Sequence, residues 1–215
     1  MIRSAAVARK PTQKKARHEG LMRPHLVVHP SGEIFIKSPR TRKRFRRMLA
    51  DHVRACLRRV SPSSQLIEHN DRLRVVGDAL DEVSEALVSL FGVNRITRVH
   101  PIAITTLDEL ADTVGVHMGD RVRDHTFAVR VKRRGKHTWS SNDASLAIAK
   151  RLFEAARGVD LGNPEVLVRV EVFQDIAYLV TERWEGPNGL PAGAQERALS
   201  LMSGGFDSPV AAWPM

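Results

Sequence analysis

The chain has 215 residues, 42% of them hydrophobic and 27% charged, the balance of a folded protein with room for one sizeable or two small cores. Its net charge of +10 is not ordinary, because a field of that sign gathers polyanions such as nucleic acid or an anionic membrane face. No apolar run approaches a bilayer span and no basic helix carries an aromatic face, which argues against the membrane; the single cysteine, Cys56, excludes an internal disulfide and a cysteine-cluster metal site and fits a reducing, cytoplasmic setting.

Residues 1–23 are basic and weakly hydrophobic, with Lys10, Lys14, Lys15 and Arg17 set against Glu19, and lack the apolar centre of a secretory signal. They read as a mobile basic tail, with Met22 as a second candidate start. His25–His29 and Ile34–Ile36 read as one strand interrupted at Pro30-Ser31-Gly32. From Arg40 to Val60 the apolar residues Phe45, Met48, Leu49, Val53, Cys56, Leu57 and Val60 recur at three-and-four spacing, the stripe of a buried helix face. Cys56 lies inside that stripe, so it reads as a packed small hydrophobe and not a nucleophile. The rest of the helix carries Arg42, Lys43, Arg44, Arg46, Arg47, Arg54, Arg58 and Arg59, a crowding of like charge that costs stability unless a polyanion offsets it.

Gln65–His69 and Arg72–Val76 are strands joined at Asn70-Asp71, a two-residue turn. A helix over Asp78–Phe91, stopped by Gly92, and a strand over Val93–Ile104 complete the order β-α-β-β-α-β, the split ferredoxin-like arrangement. The second half reads α-β-α-β-β: a helix from Leu107 to Met118, a strand opening at Phe127, a helix from Ser141 to Arg157 with Phe153 and Ala156 in its core face and Gly158 at its end, a strand from Asn163-Pro164 through Val172, and a return strand over Ile176–Trp184.

The stretch Phe127 to Trp139 alternates Phe127, Val129 and Val131 with Arg130 and Lys132, then runs into Arg133, Arg134, Gly135, Lys136 and His137. A glycine lets the backbone turn while donors crowd a small volume, and the caps Ser140-Ser141-Asn142 would aim free helix amides at the same place, so phosphate could be held there. The bland alternative is a solvated hairpin end. After a Gly- and Pro-rich linker over 185–197, Ala198–Met202 reads as a short strand leading into Ser203-Gly-Gly-Phe-Asp-Ser208. Two adjacent glycines let backbone amides approach a pyrophosphate, Ser208 would cap a helix with Pro209 in its first turn, and the lysine of a Walker A loop is absent.

Gly32-Glu-Ile-Phe-Ile-Lys-Ser38 before an arginine-rich helix, Val129-Arg-Val-Lys-Arg-Arg-Gly-Lys-His137 with Ser140-Ser141, and Ser203-Gly-Gly-Phe-Asp-Ser208 together resemble bacterial tRNA 4-thiouridine synthetase, also called tRNA sulfurtransferase, in unbroken order from about Pro24 to Trp213. The resemblance implies an α+β chain: a ferredoxin-like domain over 24–92, a THUMP RNA-binding domain (αβαββ) over 93–184, and from 198 to 215 the opening of a PP-loop ATP pyrophosphatase α/β domain. It implies that Leu201, Met202, Ser203, Gly204, Gly205, Asp207 and Ser208 surround ATP with Mg²⁺, and that Lys37, Arg42, Arg46, Lys132, Arg133, Arg134, Lys136 and His137 grip the acceptor end of tRNA. Trp139 would stack on an unpaired base or pack beneath the helix start.

Family members adenylate a uridine of tRNA and displace AMP with persulfide sulfur; by resemblance a cysteine desulfurase supplies the sulfur, a homodimer is admitted, and a thiamine-pathway role accompanies some members. The chain departs from the family in stopping at Met215, in lacking relay cysteines and in placing Pro214 where a helix should continue, so the expectation is a truncated, RNA-gripping front half with no catalytic residue of its own. The alternative is a stand-alone THUMP-type adaptor. Either way the cations are expected to converge on one groove built by a sheet edge and two helices.

Overall fold

His25–Pro30 forms β1, buried on both sides almost throughout, which is how a strand reads when it lies inside a sheet and not at its rim. In the computed structural model, which describes residues 22–69, 72–196 and 202–212, β1 runs antiparallel to β3 (Arg72–Val76) on one side and to β4 (Val93–Ala103) on the other. β2 (Gln65–His69) pairs outside β3; the turn expected at Asn70-Asp71 lies outside the described residues. β4 is long enough to serve two neighbours: along its length it also pairs antiparallel with β8 (Ile176–Glu185), from Arg95 opposite Glu185 to Ala103 opposite Ile176. Beyond β8 come β7 (Val166–Phe173), β5 (Thr126–Arg134) and the two-residue β6 (Gly158–Val159), so one eight-stranded sheet in the order β2-β3-β1-β4-β8-β7-β5-β6 carries both halves of the chain. β5 is parallel to β6 and β7, and the named pairs elsewhere in the sheet are antiparallel.

Six helical segments are described: α1 (Gly32–Phe35), α2 (Pro39–Val60), α3 (Leu80–Val88), α4 (Leu107–Val122), α5 (Ser141–Leu152) and α6 (Asp207–Ala212). The starts of the longer ones are written in the sequence. Ser38 accepts from the Thr41 amide with Pro39 behind it, Thr106 accepts from the Glu109 amide at 3.1 Å, and Ser140 and Asp143 close a capping box. Helices α2 and α3 bury Phe45, Leu49, Val53, Leu57, Val83 and Leu87 against Leu26, Val28, Leu73, Val75 and Ile96 of the sheet. A second core sets Leu110, Val114, Met118 and Ile148 of α4 and α5 against Phe127, Val168, Val170 and Leu179. On the other face of the sheet the described residues form a small apolar cluster, Val27, Val99 and Tyr178.

Three local expectations are corrected. Ile34–Ile36 is not strand: Ser31 accepts from the Glu33 amide and starts α1, which buries Ile34 but leaves Ile36 80% exposed, because a capping bond formed locally outweighs the β-propensity of three residues with no partner strand. The fourth predicted helix ends at Leu152 and not Arg157; the Arg157 amide bonds the His125 carbonyl and the Asp160 amide the Phe127 carbonyl, so pairing with β5 takes the segment, Gly158 joins β6, and Phe153 is 59% exposed instead of core. The last helix begins at Asp207, which moves Pro209 to its third residue, still in the turn where a missing amide hydrogen costs nothing. The strand expected over Ala198–Met202 falls mostly outside the described residues.

Candidate nucleic-acid interface

The alternation along β5 settles which cation points where. Phe127, Val129 and Val131 face the helices, so Arg130, Lys132 and Arg134 emerge on the opposite face, whereas Arg133 is in phase with the valines. Arg133 is therefore a brace: its guanidinium carbon stands 5.8 Å from the Trp139 ring centre, and one of its nitrogens lies 3.4 Å from both the Gly135 carbonyl and His137 Nδ1. His137 Nε2–H donates to the Gln174 carbonyl at 2.6 Å, leaving Nδ1 to accept from Arg133, and its ring packs on Trp139 with centroids 4.6 Å apart. Trp139 itself packs against the second core. Lys136 projects from this ordered loop into solvent, at the mouth of an open cleft of about 600 Å³ shared with Thr105, His137, Trp139 and Asp175.

Gly135 makes the turn possible. Its φ of +121° is a region that side-chain-bearing residues avoid, and a Cβ would lie 3.2 Å from the Gln174 nitrogen and from His137 Cε1. Gly135→Ala is expected to cost about 1–3 kcal/mol and to release His137 from the Gln174 carbonyl, read as a lower urea midpoint together with a changed His137 ring resonance; an unchanged ring resonance would refute the brace.

The helix start behind the loop does not offer the free dipole expected of it. Asp143 accepts from the Ser140 amide at 2.7 Å and the Asp143 amide donates back to Ser140 Oγ at 3.1 Å; the Ser140 amide, and after it the Ser140 hydroxyl, holds the Asp143 carboxyl below the usual carboxylate range. An ionised carboxylate already satisfies the positive end of α5, so an incoming phosphate would meet like charge there.

On α2 the cations divide. Arg54 is held by Asp51 at 2.8 Å and by Glu68, and Arg44 donates to the Ala194 carbonyl at 3.0 Å, fastening the 186–196 segment to the helix. Arg42, Lys43, Arg46 and Arg47 line a hollow of about 570 Å³, with Arg42 3.5 Å from the Phe35 carbonyl and half-buried Lys37 just ahead of the helix. Cys56 is buried as expected, and burial pushes its thiol pKa up, away from reactivity.

The expected nucleic-acid residues thus fall on three surfaces and not in one groove: Lys37, Arg42 and Arg46 at α2, Lys136, His137 and Trp139 at the β5 loop with Arg133 as its brace, and Lys132 and Arg134 on the face of the sheet turned away from α2–α5, helix-free among the described residues. Strand alternation is the reason, since neighbouring basic residues on one strand must point to opposite faces. That helix-free face also carries Arg72, Arg74 and Arg95, which the sequence reading passed over. Their signal was present as basic residues in alternation with the core residues Leu73, Val75 and Ile96.

In the loop expected to hold ATP, Ser203 Oγ lies 2.7 Å from Ser208 Oγ and 3.4 Å from the Gly205 amide, while Gly204 has open space around it. Glycine amides and two hydroxyls suit a pyrophosphate, and Asp207 begins α6 beside them. Met202 to Phe206 are all exposed, Phe206 by 92%, so among the described residues nothing walls in a nucleotide base; Leu201 lies outside them. The residues present fit the phosphate part of the cofactor alone.

Two domain families match the chain in series: the ThiI ferredoxin-like domain over residues 25–97 and the THUMP domain over residues 105–182. Sequence and fold together define the class, a ThiI-type ferredoxin-like domain carried on into a THUMP domain, with β4 and β8 as the seam. The chain is 40% identical over 190 residues to a tRNA sulfurtransferase of Desulfurococcus amylolyticus and 38% identical over 197 residues to one of Pseudomonas aeruginosa, covering 88% of this chain in each case. Across both domains it is similar to the tRNA sulfurtransferases. The fold matches a crystal structure of a 4-thiouridine synthetase in complex with RNA and bound ATP, with a TM-score of 0.71 at 23% identity over 88% of this chain and 49% of that one. The chain spans 39–41% of the length of these two sulfurtransferases. Among the described residues no helix is long and apolar enough to cross a membrane.

Proposed function

We propose that this chain is the tRNA-gripping portion of a tRNA sulfurtransferase, the enzyme class that converts a tRNA uridine to 4-thiouridine at the expense of ATP. The observation that carries the reading is the fusion, through one continuous sheet, of a ThiI-type ferredoxin-like domain to a THUMP domain. Its own residues position RNA: Lys136 and His137 at the β5 loop meet the unpaired acceptor end, and Arg42, Lys43, Arg46 and Arg47 of α2 meet backbone phosphate. Ser203, Gly204, Gly205, Asp207 and Ser208 would receive the phosphates of ATP, with Mg²⁺, when the nucleotide is bound; the cofactor supplies activation of the uridine oxygen. A cysteine desulfurase as sulfur source and a second copy of the chain as partner belong to the same proposal.

The test is binding of tRNA to the 215-residue chain. Log affinity should fall linearly with log salt, by about 0.9 per neutralised phosphate on duplex and about 0.7 on single strand. Lys136→Ala should weaken binding severalfold, and tRNA trimmed of its unpaired 3′ end should lose that difference. Equal affinity for trimmed and whole tRNA sinks end recognition, and 4-thiouridine formed by this chain alone with ATP and sulfide would overturn its reading as a binding portion only.

A further inference from the structure

The helix-free face of the sheet is hollow. Arg72 of β3 reaches Glu171 of β7 at 2.7 Å, and Arg74 of β3 reaches the Tyr178 hydroxyl of β8 at 3.1 Å, although β1, β4 and β8 lie between β3 and β7. Four strand spacings on a flat sheet are about 19 Å, more than an arginine and a glutamate bridge together, so the sheet curls toward this face. The curl brings cations from both domains around a groove of about 200 Å³: Arg72, Arg74 and Arg95 from the ferredoxin-like side, Lys132 and Arg134 from the THUMP side, with Glu171 as the one carboxylate among its described lining residues.

Arg74 is the odd member. It is only 7% exposed, it makes no salt bridge with any described carboxylate, its guanidinium carbon lies 4.8 Å above the Tyr178 ring centre, and its Nε–H is buried without an acceptor. Among the described residues the Arg95 guanidinium bonds the side chain of Asn94 alone, at 3.1 Å. A guanidinium taken out of water against a phenol, with one N–H unmet, is costly unless an anion completes it. The surrounding charge is mostly of the same sign: His29, beside the groove on β1, is pushed down to about 4 by burial and then by Arg95 and Arg72, with Glu171 working against them, and Arg169 is lowered by burial and then by Arg183, Arg130 and Arg95, with Glu185 opposing. Glu171 has its own charge met by Arg72. Arg130 and Arg169 extend the row along the same face, with Arg183, paired to Glu185 at 2.5 Å, beyond them, which makes a track and not a single pocket. With room for roughly six waters at about 30 Å³ each, the groove admits a phosphodiester group.

We propose that this concave face is a binding track for the phosphodiester backbone of RNA, seated on Arg74 and Arg95 and jointly built by the ferredoxin-like and THUMP domains. The inference rests on the RNA-binding reading above and adds to it a surface on the opposite side of the sheet from α2 and α5. Extended RNA fits better than a free anion because the cations form a row across several strands.

The experiment measures tRNA affinity of the whole chain, Arg95→Gln and Arg74→Gln across a salt series, with thermal melts for each. Arg95→Gln should melt like the parent, bind tRNA severalfold more weakly and lower the salt slope by about one. Arg74→Gln should do the same and, where it melts early, Arg95→Gln decides alone. Parent binding with an unchanged slope in Arg95→Gln overturns the track while leaving the proposed function standing; no tRNA binding by the parent overturns both. To separate the sources of phosphate, the Arg74 Nε–H resonance should move with tRNA and stay put with inorganic phosphate at equal concentration. Movement with inorganic phosphate alone overturns the RNA assignment.

Discussion

Taking the protein from pH 7 to pH 5 should remove about 4 kcal/mol of folding stability, with His25 and His29 as the two main sources. His25 is fully buried; its Nδ1–H donates to the Arg23 carbonyl at 2.8 Å and its Nε2 is buried without a partner. Burial pushes its pKa from 6.5 down to about 4; the bond to Arg23 works against this, and the charge of Arg74 works with it. The folded pKa lies below the unfolded one, so the contribution is complete above pH 6.5, declines as the unfolded chain takes up its proton, and is gone below about pH 4. Over pH 7 to 5 a shift of this size amounts to about 2 kcal/mol. His29, also lowered to about 4 by burial and the neighbouring arginines, adds in the same direction, and so does His100, lowered by burial and by His117.

The carboxylates held low, Asp143, Glu165 and Glu171, act only below their ordinary range, so this window isolates the imidazoles. Urea midpoints at pH 7, 6 and 5 provide the measurement. His25→Asn, whose amide can replace the Nδ1–H, should flatten roughly half of the slope. A level profile in the native chain would show that these rings are not held neutral in the fold.

Phe127→Ala is expected to cost about 3–5 kcal/mol, near the top of what one core truncation does. Phe127 is fully buried, on a strand hydrogen-bonded on both flanks, and belongs to the same core as residues of α4 and α5. The packing around it comes from three separate elements, which cannot all close on the space a phenyl ring leaves. Because β5 also presents the Gly135 loop, the variant should bind tRNA more weakly as well, in step with its loss of urea resistance and not independently of it. A loss under about 1 kcal/mol would mean that the second core is held elsewhere.

How much of this was legible in the sequence varies with the range of the interaction. The α2 stripe, the Ser140 cap, the Gly135 turn and the alternation of β5 are local, and each was read within a residue or two, because helix and strand periods and capping bonds depend on near neighbours alone. The errors share a cause. Ile34–Ile36 and Arg157–Val159 chose their states according to whether a partner strand was at hand, and the reciprocal bonds of Ser140 and Asp143 took up amides at the start of α5 that sequence reasoning had left for phosphate.

The basic helix face, the glycine-hinged cationic loop and the order of elements followed from the amino-acid sequence by itself, since charge and periodicity are written residue by residue. Which cations stand together was decided only by the tertiary structure. Arg74 and Lys132 are 58 positions apart and line one groove, whereas Arg133 and Lys132 are adjacent and face opposite sides of the sheet. Strand order and sheet curl arise from pairing between distant segments, and no local pattern encodes which segments those are.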